Sequence, residues 1–285
     1  MRRSLFPLAL LLAAAAGAAR PGGGSPAPVA LLSSESAHYR QALEGFMEAW
    51  GSTVTVVAAD ARPPVEAWAF LAVGGKAAAR RWPRDSVVVA CLAPSVESVE
   101  GDAVTRVSLL PDPAVLVSRM RALLPRLRVL RVFWSSESSR EDAEALEAAG
   151  QRQGVVVLSE RVDPPSRLPE RLRAIDGKDD ALWLMPDPAL VTAENFAIVR
   201  EYAAARGIPF LGPTEGLAER GATATISATF RDMGRAAALS LRARLDGGAE
   251  PEIVRAARVT VTVNAAAARA VGLGPAFPSA DKVLP

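Results

Sequence analysis

DALWLMPDPALVTAENFAIVREYAAARGIPFLGPTEGLAERGATATISATFRDMG, residues 180 to 234, alternates short apolar runs with one longer helical run. ALWLMP is too short for an ordinary helix and is bounded by turn residues, so it reads as a buried strand. Thr192 to Arg206 reads as a helix that Gly207 and Pro209 stop. IPFLG and TATISAT are two more strands, and the second runs into another helix. Strands alternating with helices imply an α/β fold with a parallel sheet. In such sheets small ligands bind in the crevice outside the carboxyl ends of the strands. The loops there, Pro186 to Leu190 and Gly212 to Gly216, carry Asp187, Thr214 and Glu215. These side chains can orient a ligand, and the loops hold no obvious nucleophile or metal cluster.

Downstream, Met233, Ala237, Leu241 and Leu245 share one helix face that Gly247 and Gly248 close. Upstream, RVLRVFW and GVVVLSERVD are strands around a helix that ends at Gly150. Ser138 and Glu141 have capping-box spacing at the start of that helix. Leu116, Met120, Leu123 and Leu124 mark the helix before it. Trp183 and Trp50 fall in apolar periodic segments and are expected in the core. Further back, PVALLSS is a strand, and Leu43, Phe46, Met47 and Trp50 form one face of a helix that Gly51 ends. STVTVVAAD and EAWAFLAVGG then follow one another with only a few residues between Asp60 and Trp68. Parallel neighbours need a crossover of a dozen or more residues, so either a tight connection replaces the expected helix or these strands pair differently.

The first residues stand apart. Arg2 and Arg3, an apolar run from Leu5 to Ala16, and Ala16-Gly17-Ala18 make a secretory signal over residues 1–18. Its apolar run is short for a membrane span. No Cys follows the apolar run directly, which argues against a lipoprotein. Residues 19–28, rich in Gly, Pro and Ser, form a flexible linker. Without Arg2 and Arg3 the basic and acidic residues balance, and no basic run suggests nucleic-acid binding. The single Cys91 lies in the apolar run SVVVACLAP and is expected to be buried. One His and one Cys cannot supply the usual zinc cluster. His38 is the only imidazole for a Ser triad, there is no G-x-S-x-G elbow, and His38 reads as a surface or capping residue at a helix start. No catalytic residue, metal or cofactor is expected.

The stretch after Asp180 resembles the substrate-binding proteins of ABC transporters, in the subfamily of tryptophan and tyrosine binders. The resemblance rests on the strand ending in Pro-x-Asp, the I-P-F strand, the small-residue loop with Glu215, and E-R-G-A. GDAVTRVSLLPDP, LLPRLRVLRVFWSSES and the terminal VNAAAARAVGLGPAFPSADKVLP fall at matching positions in order. This implies a two-lobed type I periplasmic-binding fold with parallel sheets flanked by helices and a ligand cleft between the lobes. The lobes are expected at residues 29–112 with 229–250, and at 113–228 with 251–263, followed by a C-terminal tail, 264–285, packed over a lobe. The sequence departs from the family pattern at Pro188, at Pro213-Thr214-Glu215 and at Ala228-Thr229-Phe230.

The resemblance further implies an exported, periplasmic, monomeric protein that captures a small organic, amino-acid-like ligand for ABC permease subunits. A ligand-sensing or adaptor module of the same fold, serving a receptor or outer-membrane transporter, is the alternative. Candidate ligand-binding residues on the first lobe are Ser33, Ser34, Gly74, Gly75, Ala93 and Ser95. On the second they are Trp134, Ser135, Asp187, Thr214 and Glu215, with Phe230 beyond. Asp187 or Glu215 would hold a ligand ammonium. The backbone at Gly75 and Ser95 suits a carboxylate, although Gly74-Gly75 is equally a simple strand-to-helix turn. Trp134 and Phe230 would supply apolar walls.

Overall fold

The computed structural model describes residues 27–94, 104–175, 179–248 and 252–285. The expected signal, most of the linker and Ser95 lie outside the described residues. The first lobe opens with β1 (Val29–Leu32), α1 (Ala37–Trp50), β2 (Thr55–Ala58), β3 (Ala69–Val73), α2 (Gly75–Ala78), β4 (Val87–Cys91) and β5 (Val104–Val107). The chain then changes lobe and runs α3 (Pro113–Leu123), β6 (Val129–Trp134), α4 (Arg140–Arg152), β7 (Val156–Arg161) and α5 (Leu168–Arg173). It continues through β8 (Ala181–Leu184), α6 (Ala193–Arg206), β9 (Phe210–Gly212), α7 (Gly216–Glu219) and β10 (Ala224–Ser227). The last part is α8 (Phe230–Leu245), β11 (Ile253–Val254), β12 (Thr260–Asn264), α9 (Ala265–Ala270) and β13 (Lys282–Leu284).

Two separate sheets result, a six-stranded one in the order β11-β5-β4-β3-β1-β2 and a seven-stranded one in the order β13-β12-β10-β9-β8-β6-β7. Pairing is parallel throughout the first sheet, and in the second only β10 with β12 is antiparallel. β2 and β3 flank β1 in parallel, so residues 59–68 cross over β1 without a helix. The tight connection is therefore the alternative that the chain adopts. Its backbone is held by Arg80, whose guanidinium donates to the carbonyls of Ala59 and Ala61.

The chain passes between lobes at residues 108–112, 228–229 and 255–259. The last of these corrects the expected boundary. Residues 251–263 do not all join the second lobe, because Ile253 and Val254 pair with Arg106 and Val107 on the first sheet. EIVRAARVTVTV holds two β-prone runs split by the polar link Arg255 to Arg258, and the first run covers the free edge of β5. The tail builds on the second lobe: β13 pairs with β12, and Asn264 caps α9 by accepting from the Ala267 amide at 2.8 Å.

Helices form where the sequence provides caps. Ser36 caps α1, Thr192 caps α6 and Thr229 caps α8, each accepting from an amide three residues on. The capping box at Ser138 does not form; Glu137–Ser139 make a 3-10 turn before α4 instead. α8 returns to the first lobe and lies on α1. A Cβ on Gly234 would sit 1.8 Å from the Ala42 carbonyl oxygen, and one on Gly45 1.9 Å from that of Arg231. Glycine at both positions lets the two backbones touch. Phe46, Trp50, Met233 and Leu241 fill the layer beneath. Trp183 is buried in the second-lobe core. Cys91 is fully buried, and burial pushes its thiol up to about 12.

Candidate functional site

The cleft between the lobes contains a cavity of about 650 Å³. First-lobe helices supply its upper wall, with His38 and Gln41 from α1 and Phe230 and Met233 from α8. Its lower wall is Pro186 after β8, then Pro213, Thr214, Glu215, Gly216 and Glu219 after β9. Leu109, Ser227 to Thr229 and Thr260 line it from the interlobe connections and their margins. The volume suits a small organic ligand, for which pockets run to about 300–1,000 Å³. A second cavity nearby, beside Ala93 and Pro188, holds only about 40 Å³ and has room for little more than water.

The His38 and Phe230 rings face each other at 4.7 Å between centroids, tilted by 53°. They form an aromatic corner in the upper wall. Thr229 is occupied as the cap of α8: its hydroxyl donates to Asp232 at 2.6 Å and accepts from the Asp232 amide. Glu215 is half-exposed and bonded at 2.7 Å to Lys282 of β13. That bond and the Glu215 charge hold the Lys282 ammonium above its usual range, with Glu219 adding to the effect.

Thr214, Glu215 and Phe230 thus come together at the larger cavity. The other expected residues sit elsewhere. Asp187, expected as an ammonium anchor, is fully buried and turned into the second lobe. Its carboxylate accepts from the amides of Ser135 at 2.8 Å, Ser136 at 2.7 Å and Ala189 at 2.8 Å, and from the Ser136 hydroxyl at 2.7 Å. Burial alone would raise its pKa, but these donors outweigh it and hold the group below its ordinary 3.8. Asp187 therefore ties the β6 and β8 strand ends together, and Ser135 belongs to that tie.

Trp134, expected as a cleft wall, is buried in the second-lobe core, with its indole N–H donating to Ser159 at 2.9 Å. Its place at the last position of a buried strand points it inward. The Ser33 hydroxyl accepts from the Ala77 amide at 2.9 Å, and Ser34 accepts from the Ser36 amide. Gly74 has φ +89°, and a Cβ there would meet Ser33 and Tyr39. Gly75 opens α2 as a strand-to-helix turn. These four residues do not line the larger cavity, and Ala93 lines only the small one.

Sequence reasoning missed His38, Gln41, Glu219, Met233 and Thr260. His38 and Gln41 are one turn apart on the polar side of an amphipathic helix, and that spacing is the signal that could have paired them. Met233 looked like a core residue, and it is 4% exposed while also facing the cavity.

Two α/β lobes joined by three passes of chain, with a cavity between strand ends, define a two-lobed binding protein of the type I periplasmic fold. The chain belongs to the ABC transporter substrate binding protein family, whose model matches residues 85–274. Among solved structures, it is similar to an ABC domain in complex with L-Trp from Streptococcus pneumoniae, at 17% identity and a TM-score of 0.56, covering 90% of this chain and 99% of that one. A conserved domain protein from Vibrio cholerae is 17% identical with a TM-score of 0.57, over 90% and 98% of the two chains. The ligand-free, open structure of a substrate binding protein with adhesive properties from Clostridium difficile is 16% identical with a TM-score of 0.62, over 90% and 98%. No curated protein matches the chain. Likeness at these identities establishes the fold and leaves the ligand to the residues of this chain. Among the described residues no helix is long and apolar enough to cross a membrane, and no group of His, Cys, Asp and Glu is placed to hold a metal ion.

Proposed function

We propose that this protein is an exported solute-binding protein, which captures a small organic molecule in the interlobe cavity and presents it to the permease of an ABC importer. The observation that carries this reading is the cavity of about 650 Å³ walled by both lobes outside the ends of β8 and β9. Closing about the three connections would bury a ligand from both sides, as in hinge-closing binding proteins. The signal-like residues 1–18, with no Cys directly after their apolar run, support a periplasmic, non-lipidated protein. The match to a substrate-binding family supports action by binding rather than catalysis. A small molecule with an amino group fits the acidic lower wall, and the L-Trp held by the pneumococcal relative carries one.

Thermal-shift screening against amino acids, amines and small organic acids tests this. A ligand at a hundred times its Kd should stabilise the protein by about 2.7 kcal/mol. Gly216→Trp would place an indole at the cavity lining, where a Cβ meets nothing within 4 Å, and should reduce or abolish the shift while leaving the fold intact. A ligand that still stabilises Gly216→Trp to the full extent would place binding somewhere else.

A further inference from the structure

We infer that the ligand of this cleft is an organic cation, an amine with an apolar or aromatic body and no carboxylate. This deepens the binding reading and rests on it. Glu215 and Glu219 both line the cavity, whereas no Lys or Arg does among the described residues. A zwitterion would bring its carboxylate into that field, where the nearest cation, Lys282, lies outside the lining and is already paired with Glu215. Gly75, expected to receive a carboxylate, lies away from the cavity. The amino end of α8, which would otherwise attract an anion, already carries Asp232 in its first turn.

The body of the ligand is served by the aromatic corner of His38 and Phe230 with Met233, Leu109 and Pro213 around it. Aromatic faces also favour a cation placed over them. Lys282 bears on the same carboxylate. Its ammonium, arriving on the C-terminal strand β13, bonds Glu215 at 2.7 Å from outside the cavity lining. An internal ammonium thus occupies the carboxylate that a ligand ammonium would use. Lys282 is an intramolecular competitor, and binding exchanges one ammonium for the other.

Isothermal titration with 2-phenylethylamine, phenylalanine and 3-phenylpropionate isolates charge on one body. The amine should bind most tightly, the amino acid about ten-fold or more weakly, and the acid weakest, because like charge is penalised in a partly desolvated site. Glu219→Gln and Glu215→Gln should each weaken the amine about ten-fold, and Lys282→Met should strengthen it in the wild-type background but not with Glu215→Gln. If phenylalanine or the acid binds most tightly and Gly216→Trp abolishes it, the cation inference is wrong and binding in the cleft stands. Gln variants that bind the amine as the wild type does would overturn it equally. Failure of all three probes and of a wider library of small metabolites would overturn the binding reading and the inference together.

Discussion

On the second sheet each strand from β6 to β10 is followed by a helix, whereas on the first sheet β2 runs into β3 through residues 59–68 without one. The consequence shows in the composition of the layers. Both faces of the second sheet carry large residues, with Trp183, Leu146 and Met120 on one side and Phe133, Phe196 and Phe210 on the other. The first sheet has Phe46, Trp50 and Leu241 under α1 and α8. Its opposite face carries Val29, Leu31, Phe70, Ala72, Val88, Ala90 and Val104 from the strands, with Ala59, Ala77, Ala78 and Ala93 packed beside them. Trp82, from the loop after α2, lies tilted across Phe70 at 5.1 Å. Among the described residues this face is covered by the short helix α2 and by the loop that carries Trp82, because close packing needs matched volume rather than a long helix as such. The family match begins at Asp85, just past this shortened region.

The seam between α1 and α8 is the thick layer of the first lobe, and overpacking it should have the largest effect. Gly234→Ala sets a methyl group 1.8 Å from the Ala42 carbonyl oxygen, and Gly45→Ala does the same against Arg231 from the other helix. Backbone cannot yield as a flexible side chain does, so each should destabilise by about 3 kcal/mol, the upper end for overpacking. Urea unfolding gives the total, and hydrogen exchange gives the place: amides of β3 and β4 should lose protection before those of β6 and β8. Equal loss in both lobes would mean that the lobes fold as one unit and that the helix seam serves them both.

Asp187 sharpens the same contrast from the second lobe, where order at the strand ends comes from a buried carboxylate. Asp187→Ala strands the amides of Ser135 and Ser136 and should cost about 2 kcal/mol. Because the folded carboxyl titrates below 3.8, its contribution is complete above that pH and disappears as the pH falls through the lower folded value. Asp187→Asn should therefore remove an acid-sensitive part of stability and leave ligand binding close to wild type. A large loss of affinity at full stability would return Asp187 to the ligand. The sequence showed where this loop lies but not which way its side chain turns. Alternation of strand and helix located the sheets, the strand ends and three of the cavity residues, Thr214, Glu215 and Phe230. It did not separate a carboxylate facing solvent from one facing its own backbone, because both follow a strand and precede a helix. Nor did periodicity reveal His38, since the polar face of a helix looks alike whether it meets water or a cleft. The split of EIVRAARVTVTV between sheets was hidden for a related reason: pairing with β5 depends on an edge left free by distant residues.

The smallest expected effect tests whether the first lobe is complete as it stands. Val56 is 44% exposed on the edge strand β2, paired on one side only, with Ala30 of β1 beside it. If water covers that flank, Val56→Lys should change stability by less than about 0.5 kcal/mol, as surface substitutions do. The lysine would also discourage pairing of this uncharged edge with another strand. Urea midpoints of wild type and variant, measured at two protein concentrations, decide the matter. A loss well above that, growing with concentration, would show that a second copy covers β2 and that the lobe gains by association the layer it lacks in sequence. A large loss independent of concentration would instead assign the cover to a segment of the same chain. A neutral result leaves the helix-free crossover of residues 59–68, with α2 and Trp82 over the neighbouring face, sufficient for the β2 edge of this lobe.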